Sequence, residues 1–183
     1  MKLYNSIGPN PRVVRMFLAE KGMKVPMVEV DLMKAENRQE PYLQKNPAGQ
    51  VPSLELDDGT YINEISAICE YFEDTNPKPA LIGSNPKEKA ETRSWLRRAD
   101  LNICEPLANG FRWAEGLPLF KDRIPCFPDA SPGLKQFAQN RMLWLDKMMD
   151  GHQFLVGDRF TLADIHLFAF LDFAGQVGQQ INP

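Results

Sequence analysis

Val51 and Pro52 stand where a short peptide-like ligand can pair with the main chain. Pro52 enters an apolar, β-rich run, and because proline cannot donate a ladder hydrogen bond, it marks a sheet edge, a bulge or a cis bond. If Val51 ends a loop before a cis proline, its N–H and C=O are free to pair with an extended ligand, as in strand addition. The alternative is that Pro52 only terminates a loop.

A second candidate segment is the predicted start of a helix at Glu64-Ile65-Ser66. The free N–H groups of a helix start and the Ser66 hydroxyl can bind a carboxylate, while Glu64 can pair with an ammonium group. An α-amino acid carries both charges, so the segment suits such a ligand. The alternative is an ordinary cap, in which Asn63 or Glu64 only complements the helix dipole.

Apolar periodicity predicts the elements that position these segments. Asn10-Pro11 predicts a helix start with Asn10 as N-cap, and Gly22 predicts its end. Asp57-Asp58-Gly59 predicts a hairpin turn between two antiparallel strands. The order is β-α-β-α-β-β-α, with strands at 2–4, 25–32, 51–56 and 60–62, a helical turn before residue 45, and a third helix at 64–74. The β-α-β opening predicts a partly parallel sheet.

The second half of the sequence contains no convincing strand. Residues 78–87 hold prolines and a glycine that interrupt regular structure, so we predict a linker between domains at 1–77 and 88–183. Helical patterns cover 88–109 and 134–149, and the Pro- and Gly-rich stretch 116–133 between them is a lid or a loose connection. Thr161 with Asp164 forms a capping signature before a helix that is apolar on nearly every side, as in the middle of a domain.

The composition restricts the classes of function. Apolar residues make up 43% and charged residues 25%, which indicates a packed globular protein. The net charge of -3 is interspersed, which argues against nucleic-acid binding. We find no signal peptide and no membrane-spanning apolar run, so we expect a soluble, cytoplasmic protein without a membrane partner. Three widely spaced cysteines fit a reducing compartment, and two histidines are too few for a histidine-based metal site, so we expect no metal.

Several motifs together resemble the glutathione S-transferase superfamily across essentially the whole chain. They are NPAGQVPSL at 46–54, Asp58-Gly59, EISAICEY at 64–71 and FTLAD at 160–164. The opening GPNPRV at 8–13 is similar to the bacterial and fungal subgroup typified by the second yeast glutathione transferase. The resemblance implies a thioredoxin-like N-terminal domain, an all-α C-terminal domain and a homodimer. Relatives usually continue beyond the position of Pro183, so we expect the helical domain to lack its C-terminal end.

The resemblance assigns glutathione-binding roles to particular positions. It implies that the backbone of Val51, before Pro52, pairs with the cysteinyl part of glutathione. It places the γ-glutamyl end on Glu64 and Ile65, where Ile65 stands in place of the usual serine, so that Ser66 or the N–H of Ile65 substitutes. Gln50, with Arg38 or Lys45, is the candidate for the glycyl carboxylate.

Catalysis by such a protein requires that the thiol of glutathione, with a pKa near ~8.5, ionise at neutral pH. Asn10 is the first candidate donor to the thiolate, Ser6 the second and Tyr4 the last. The subgroup resemblance also implies activation through water from the helical domain. For the electrophile site, the candidates are Ile7 and the run Phe111, Arg112 and Trp113, since aromatic side chains bind apolar acceptors. The alternative is that Phe111 and Trp113 are core residues and Arg112 is solvated.

The sequence therefore predicts a glutathione transferase that conjugates the thiolate to small apolar electrophiles, with detoxification as its expected role and a glutathione peroxidase side activity. Glutathione is the expected co-substrate. The rival hypothesis is a non-catalytic glutathione-fold module that binds ligands or proteins. Ile65 and the lack of a Tyr, Ser or Cys at a defined activator position keep this rival open.

Overall fold

The computed structural model describes residues 1–181, which fall into two compact units that divide between Leu81 and Ile82. The first unit contains a four-stranded sheet in the order β2-β1-β3-β4. Its strands are β1 (Lys2–Asn5), β2 (Met27–Glu29), β3 (Ser53–Glu55) and β4 (Tyr61–Asn63). β1 runs parallel to β2 and antiparallel to β3, and β4 is antiparallel to β3. The predicted partly parallel sheet with a hairpin is confirmed.

Helices of the first unit connect and cover this sheet. They are α1 (Pro9–Glu20), a 3₁₀ turn (Glu36–Arg38), α2 (Glu40–Leu43) and α3 (Ile65–Thr75). α1 and α3 pack against each other. Each buries one apolar face, with Val13 and Phe17 on α1 and Ile68 and Phe72 on α3 fully shielded from solvent. This is the helical periodicity that the sequence predicted.

The start of α1 differs from the predicted one. The helix begins at Pro9, with Gly8 as its N-cap, and no side chain caps it, so the interpretation of Asn10 as N-cap is wrong. Gly8 has φ 103°, a backbone conformation that residues with a side chain rarely adopt. Pro9 has the fixed φ that suits the first residue of a helix. Asn10 therefore lies inside the first turn, and its side chain is released from capping.

The second unit is helical, as predicted. Its elements are α4 (Pro86–Ala99), a π-helical segment (Asp100–Cys104), α5 (Glu105–Arg112), α6 (Leu117–Phe120), a 3₁₀ turn (Pro128–Ala130), α7 (Ser131–Met149) and α8 (Leu162–Gln176). α8 carries the predicted capping box: the Asp164 carboxylate accepts from the Thr161 N–H at 2.8 Å, and the Thr161 hydroxyl accepts from the Ala163 N–H at 3.3 Å. Within the described range, none of the helices combines the length and apolar character needed to span a membrane.

Candidate functional site

The strand register brings three connecting segments to the same end of the sheet's strands. Tyr4 of β1 is paired with Ser53 of β3, and Ser53 is paired with Asn63 of β4. The chain therefore leaves β1, enters β3 and leaves β4 at this same end. Val51-Pro52 and Glu64 flank the Ser53–Asn63 pair directly, so the two segments singled out from sequence are neighbours in space.

Val51 is well placed for main-chain pairing. The Val51-Pro52 peptide bond is cis. No hydrogen-bond partner for the N–H or C=O of Val51 exists among residues 1–181. An unpaired donor and acceptor on one residue beside a strand are what an extended peptide needs in order to add to the sheet.

The loop before Val51 is fixed by buried side chains. The Tyr42 hydroxyl and the Asn46 amide both donate to the C=O of Gln50, at 2.7 and 2.9 Å. Asn37, itself buried, donates to the C=O of Gly49 at 2.6 Å. These bonds hold the two peptide units that precede Val51, so its main-chain groups are presented in a defined orientation.

Glu64 occupies a backbone conformation that side-chain-bearing residues rarely adopt, with φ 73° and ψ 135°. It is the N-cap of α3, but its carboxylate makes no capping hydrogen bond. Across the part of the chain that the structure describes, this exposed carboxylate has no hydrogen-bond or ion-pair partner. Strained residues of this kind cluster at ligand clamps, and the charge is available to an ammonium group.

The first turn of α3 offers donors for an anion. The N–H groups of Ile65, Ser66 and Ala67 have no main-chain acceptor within the described residues, as expected at a helix start. The Ile65 side chain is half-buried, whereas Ser66 is exposed and its hydroxyl has no hydrogen-bond partner among the described residues. Glu64 and this turn together provide a carboxylate beside an anion-binding helix end.

The first two candidate donors to a thiolate, Asn10 and Ser6, differ sharply in availability. The Ser6 hydroxyl is buried and donates to the C=O of Val30 at 2.5 Å. The carboxamide of Asn10 is half-exposed and has no hydrogen-bond partner in the described chain. The Ser6 hydroxyl proton is therefore used in a structural hydrogen bond, whereas the NH₂ group of Asn10 remains available to a ligand.

The residues predicted to bind the glycyl carboxylate of a ligand, Gln50, Arg38 and Lys45, lie in or near the loop before Val51. The side chain of Gln50 is exposed, while its C=O is held as described above. Arg38 donates through Nη1 to the C=O of Ala48 at 3.1 Å. It also lies 2.8 Å from the point where a Cβ on Gly49 would stand, so only glycine permits this approach. The Lys45 ammonium lies over the rings of Tyr4 and Tyr61, at 5.4 Å from each centroid.

Tyr4, the weakest predicted donor, belongs to the core. Its hydroxyl donates to Glu55 Oε2 at 2.7 Å, and Tyr61 donates to the same oxygen at 3.1 Å. Burial and the hydrogen bond to Glu55 raise the pKa of Tyr4 to about 12. Because the Tyr4 hydroxyl stays protonated and donates to Glu55, it stabilises the sheet and is not available to a ligand thiolate.

The predicted electrophile residues divide between the two units. Ile7, in the first unit, is 65% exposed although it is apolar. In the second unit, Phe111 packs edge-on against Phe173 with ring centroids 5.2 Å apart, and Trp113 packs against Phe127 at 5.3 Å. Arg112 is not simply solvated: it donates to Asn109 at 2.9 Å and lies 3.6 Å from Glu105. Trp113 keeps a buried indole N–H without a partner in the described chain.

No metal cluster occurs among residues 1–181, and two of the three thiols are buried. No group of three or more His, Cys, Asp or Glu side chains in this range is arranged to hold a metal ion. Cys69 and Cys104 are buried, and burial, followed by nearby carboxylates, raises the pKa of both thiols well above the ordinary value. Such thiols are inert nucleophiles.

Sequence reasoning missed the side chains that hold the site. Asn37, Tyr42 and Asn46 act on the loop before Val51, and Arg15 acts on the loop after β1. Asn46 precedes a proline and Asn37 lies in a polar stretch, so each has the composition of an ordinary turn residue. No sequence signal identifies the carbonyl that each one binds.

Comparison with known proteins places this chain among proteins of one kind. Residues 7–75 match the family described as "Glutathione S-transferase, N-terminal domain", and residues 136–182 match "Glutathione S-transferase, C-terminal domain". Glutathione S-transferase 2 of Saccharomyces cerevisiae is 36% identical over 178 residues, which span 95% of this chain and 76% of that protein.

Solved structures agree with this placement. A glutathione S-transferase domain-containing protein of Marinobacter aquaeolei VT8 superimposes with a TM-score of 0.93 at 39% identity, covering 100% of this chain and 90% of the other. Gtt2 from Saccharomyces cerevisiae superimposes with a TM-score of 0.92 at 34% identity, covering 100% of this chain and 89% of the other.

Proposed function

The chain belongs to the glutathione S-transferase family and is a glutathione transferase, and from this premise we propose that it binds glutathione where Val51, Glu64 and Ser66 meet. The observation that carries the proposal is the strand register, which sets an unpaired main-chain donor and acceptor beside a helix start and a free carboxylate. A γ-glutamyl tripeptide has the complementary groups: an extended amide backbone, an ammonium group and a carboxylate.

Each part of glutathione has a candidate partner. The cysteinyl N–H and C=O pair with Val51 in the manner of strand addition. The γ-glutamyl carboxylate binds the N–H of Ile65 and the N–H and hydroxyl of Ser66, and its ammonium group pairs with Glu64. The serine that follows Ile65 thus takes over from the hydroxyl that the family pattern places one residue earlier. Gln50, with Arg38 or Lys45, binds the glycyl carboxylate.

Asn10 is the proposed donor to the thiolate. Hydrogen-bond donation to the anion stabilises it and lowers the thiol pKa from about 8.5 toward neutrality. The free carboxamide of Asn10 in the first turn of α1, where the helix dipole also favours negative charge, supports this role. The Ser6 hydroxyl is engaged by Val30, which supports a structural role for that residue.

The reaction follows from this arrangement. The thiolate attacks an electrophilic carbon of a small apolar acceptor, a carbon–sulfur bond forms, and the leaving group departs with its electron pair. In the proposed peroxidase side activity, the thiolate attacks the terminal oxygen of a hydroperoxide, and the O–O bond breaks to release the alcohol. A second glutathione then reduces the resulting sulfenic acid, giving glutathione disulfide and water. In the first unit, the exposed apolar side chain of Ile7 is a candidate for binding the acceptor. In the second unit, the candidate is the aromatic side chain of Trp113, whose buried indole N–H has no partner among the described residues. The proposed physiological role is detoxification in the cytoplasm.

The proposed assembly is a homodimer of two-domain subunits, with domains at 1–77 and 88–183 joined by a linker at 78–87. This assembly follows the family resemblance. Light scattering of the purified protein at two concentrations measures it directly: a mass of about twice the 20.8 kDa chain is expected, and a mass equal to one chain contradicts it.

The decisive experiment measures binding and turnover together. Wild-type protein is titrated with glutathione by calorimetry and assayed with a chromogenic aryl halide and with a hydroperoxide. Asn10→Ala is expected to lower kcat about 10- to 100-fold while glutathione affinity changes little. Asn140→Ala, at an exposed position of α7, is the matched control. Tight binding without turnover of either acceptor would favour the non-catalytic module, which the named relatives do not favour.

A further inference from the structure

Arg15 joins the second turn of α1 to the chain that leaves β1. Its Nη1 donates to Asn5 Oδ1 at 2.6 Å and to the C=O of Ser6 at 2.9 Å. Asn5 is buried, and its amide donates in turn to Glu29 Oε1 at 2.5 Å. One guanidinium therefore reaches from the helix to the end of β1 and, through Asn5, to the end of β2. We call Arg15, Asn5 and Glu29 the loop clamp.

Main-chain bonds complete the anchoring of this segment. The N–H of Val30 donates to the C=O of Asn5 at 2.8 Å, and the Ser6 hydroxyl donates to the C=O of Val30 at 2.5 Å. The C=O groups of both residues, the Asn5 carboxamide and the Ser6 hydroxyl are thus all used. The path of residues 5 and 6 is determined by contacts with β2 and α1.

The tip of the same loop has no comparable support. Ile7 is 65% exposed, and Gly8 has open space where a side chain would lie. Beyond Gly8, α1 begins at once, and Asn10 lies in its first turn. The position of the tip and of Asn10 is therefore determined at two points, the anchored base at residues 5 and 6 and the body of α1. Arg15 connects these two points directly.

We propose that Arg15, through the loop clamp, is a positioning residue that sets Ile7 and Asn10 against the glutathione thiol without touching glutathione. The inference rests on the proposed function of Asn10 and deepens it. Displacement of a catalytic group by about 1 Å can cost on the order of 100-fold in rate. A clamp that holds the loop base is thus a direct means of protecting the geometry of thiol activation.

Arg15→Met tests the proposal because it keeps the apolar stem and removes both donors. The expected results are faster amide hydrogen exchange in residues 5–9, a fall in kcat/KM for glutathione of about 10- to 100-fold, and a pH–rate profile displaced to higher pH because the thiol ionises less easily. Arg15→Lys, which keeps a cationic donor without the planar fork, is expected to recover part of the exchange protection and of the profile.

Leu18→Ala is the matched control, since Leu18 is buried near the end of the same helix and its truncation costs stability without touching the clamp. Its pH profile and the exchange of residues 5–9 are expected to match wild type. If Arg15→Met does not fold, Asn5→Ala removes the same link from the other side.

The proposal is overturned if Arg15→Met, compared with Leu18→Ala, leaves loop exchange and the pH profile at their wild-type values. A wild-type protein that fails to bind glutathione would instead contradict the proposed function. Loop exchange in Arg15→Met would still report on the clamp in that case, so the two failures are distinguishable.

Discussion

Glu64 combines a conformational cost with a charge that the fold does not use. A residue with a side chain at φ 73° is destabilised by on the order of 1–3 kcal/mol. Its carboxylate makes no compensating bond among the residues that the structure describes. Backbone strain that no hydrogen bond or ion pair offsets is expected where a side chain binds a ligand. We propose that this ligand is the γ-glutamyl group of glutathione.

Glu64→Gly and Glu64→Gln separate the strain at this position from the charge. Glu64→Gly relieves the positive φ and is expected to raise the free energy of unfolding by roughly 1 kcal/mol, whereas Glu64→Gln keeps the strain and should leave it unchanged. Both remove the carboxylate, so glutathione affinity should fall about tenfold in each. Urea denaturation and calorimetric titration measure the two quantities. Undiminished affinity in Glu64→Gln would contradict the assigned role.

The raised pKa of Tyr4 predicts that the free energy of unfolding falls at alkaline pH. Its pKa is raised by burial and by the hydrogen bond to Glu55, to about 12 in the folded protein, against roughly 10 in the unfolded chain. A raised pKa means that the contribution of this group is complete below about pH 10 and is lost as the pH rises toward the folded value.

Tyr4→Phe is therefore expected to flatten the decline of unfolding free energy between about pH 10 and pH 12, while costing about 1 kcal/mol at pH 8 for the lost hydrogen bond. Glu55→Gln keeps an acceptor but removes the charge, and should give an intermediate slope. Denaturant unfolding across this pH range is the measurement. Equal slopes in wild type and Tyr4→Phe would show that another group causes the decline.

At the scale of elements, a buried ion pair joins the C-terminal ends of α1 and α3. Lys21 Nζ lies 2.6 Å from Glu73 Oε2, and both side chains are almost completely shielded. The ammonium also donates to the C=O of Asn76 at 2.7 Å and of Pro79 at 2.8 Å. Because all three of its protons have acceptors, the charge is well compensated. The pair therefore fixes the two helices whose other ends carry Asn10 and Glu64.

Breaking this pair should cost far more than replacing it. Lys21→Met leaves the Glu73 carboxylate buried without its counter-ion, which destabilises by about 3–5 kcal/mol. The double variant Lys21→Met/Glu73→Leu should recover most of this loss. Recovery should be incomplete, since the N–H of Leu81 loses its acceptor on Glu73. Chemical denaturation of wild type, both single variants and the double variant gives the coupling energy. A double variant as unstable as Lys21→Met would contradict the expectation.

Local signals predicted elements well, and tertiary contacts account for the exceptions. Thr161 and Asp164 cap α8 with their own neighbours, so the sequence alone contains the reason for that helix start. The sequence predicts the start of α1 at Asn10, but the helix begins earlier, at Pro9, behind a loop whose base at Ser6 is anchored to Val30. A capping signature contains no information about such distant anchoring.

The same distinction applies to the candidate site. The pattern around Pro52 and Glu64 predicted a peptide-binding edge from residues that are close in sequence. Arg15, Asn37 and Tyr42 could not be assigned in this way, because each acts on a carbonyl whose position depends on the folded sheet. The groups proposed to face the ligand can thus be predicted from sequence, while the groups that hold them require coordinates.

For the whole molecule, glutathione binding should appear as added stability. A ligand that binds only the folded state stabilises it by about 2.7 kcal/mol at 100 times its Kd. The proposed contacts at Val51, Glu64 and Ser66 involve the peptide parts of glutathione and leave the thiol aside. S-methylglutathione should therefore raise the unfolding midpoint nearly as much as glutathione, whereas the dipeptide Cys-Gly, which lacks the γ-glutamyl end, should raise it little. Thermal unfolding with each ligand, in wild type and Glu64→Gln, measures these shifts. Equal shifts by Cys-Gly and glutathione would place the main binding energy outside the α3 start, and the assignment of Glu64 and Ser66 would then be wrong.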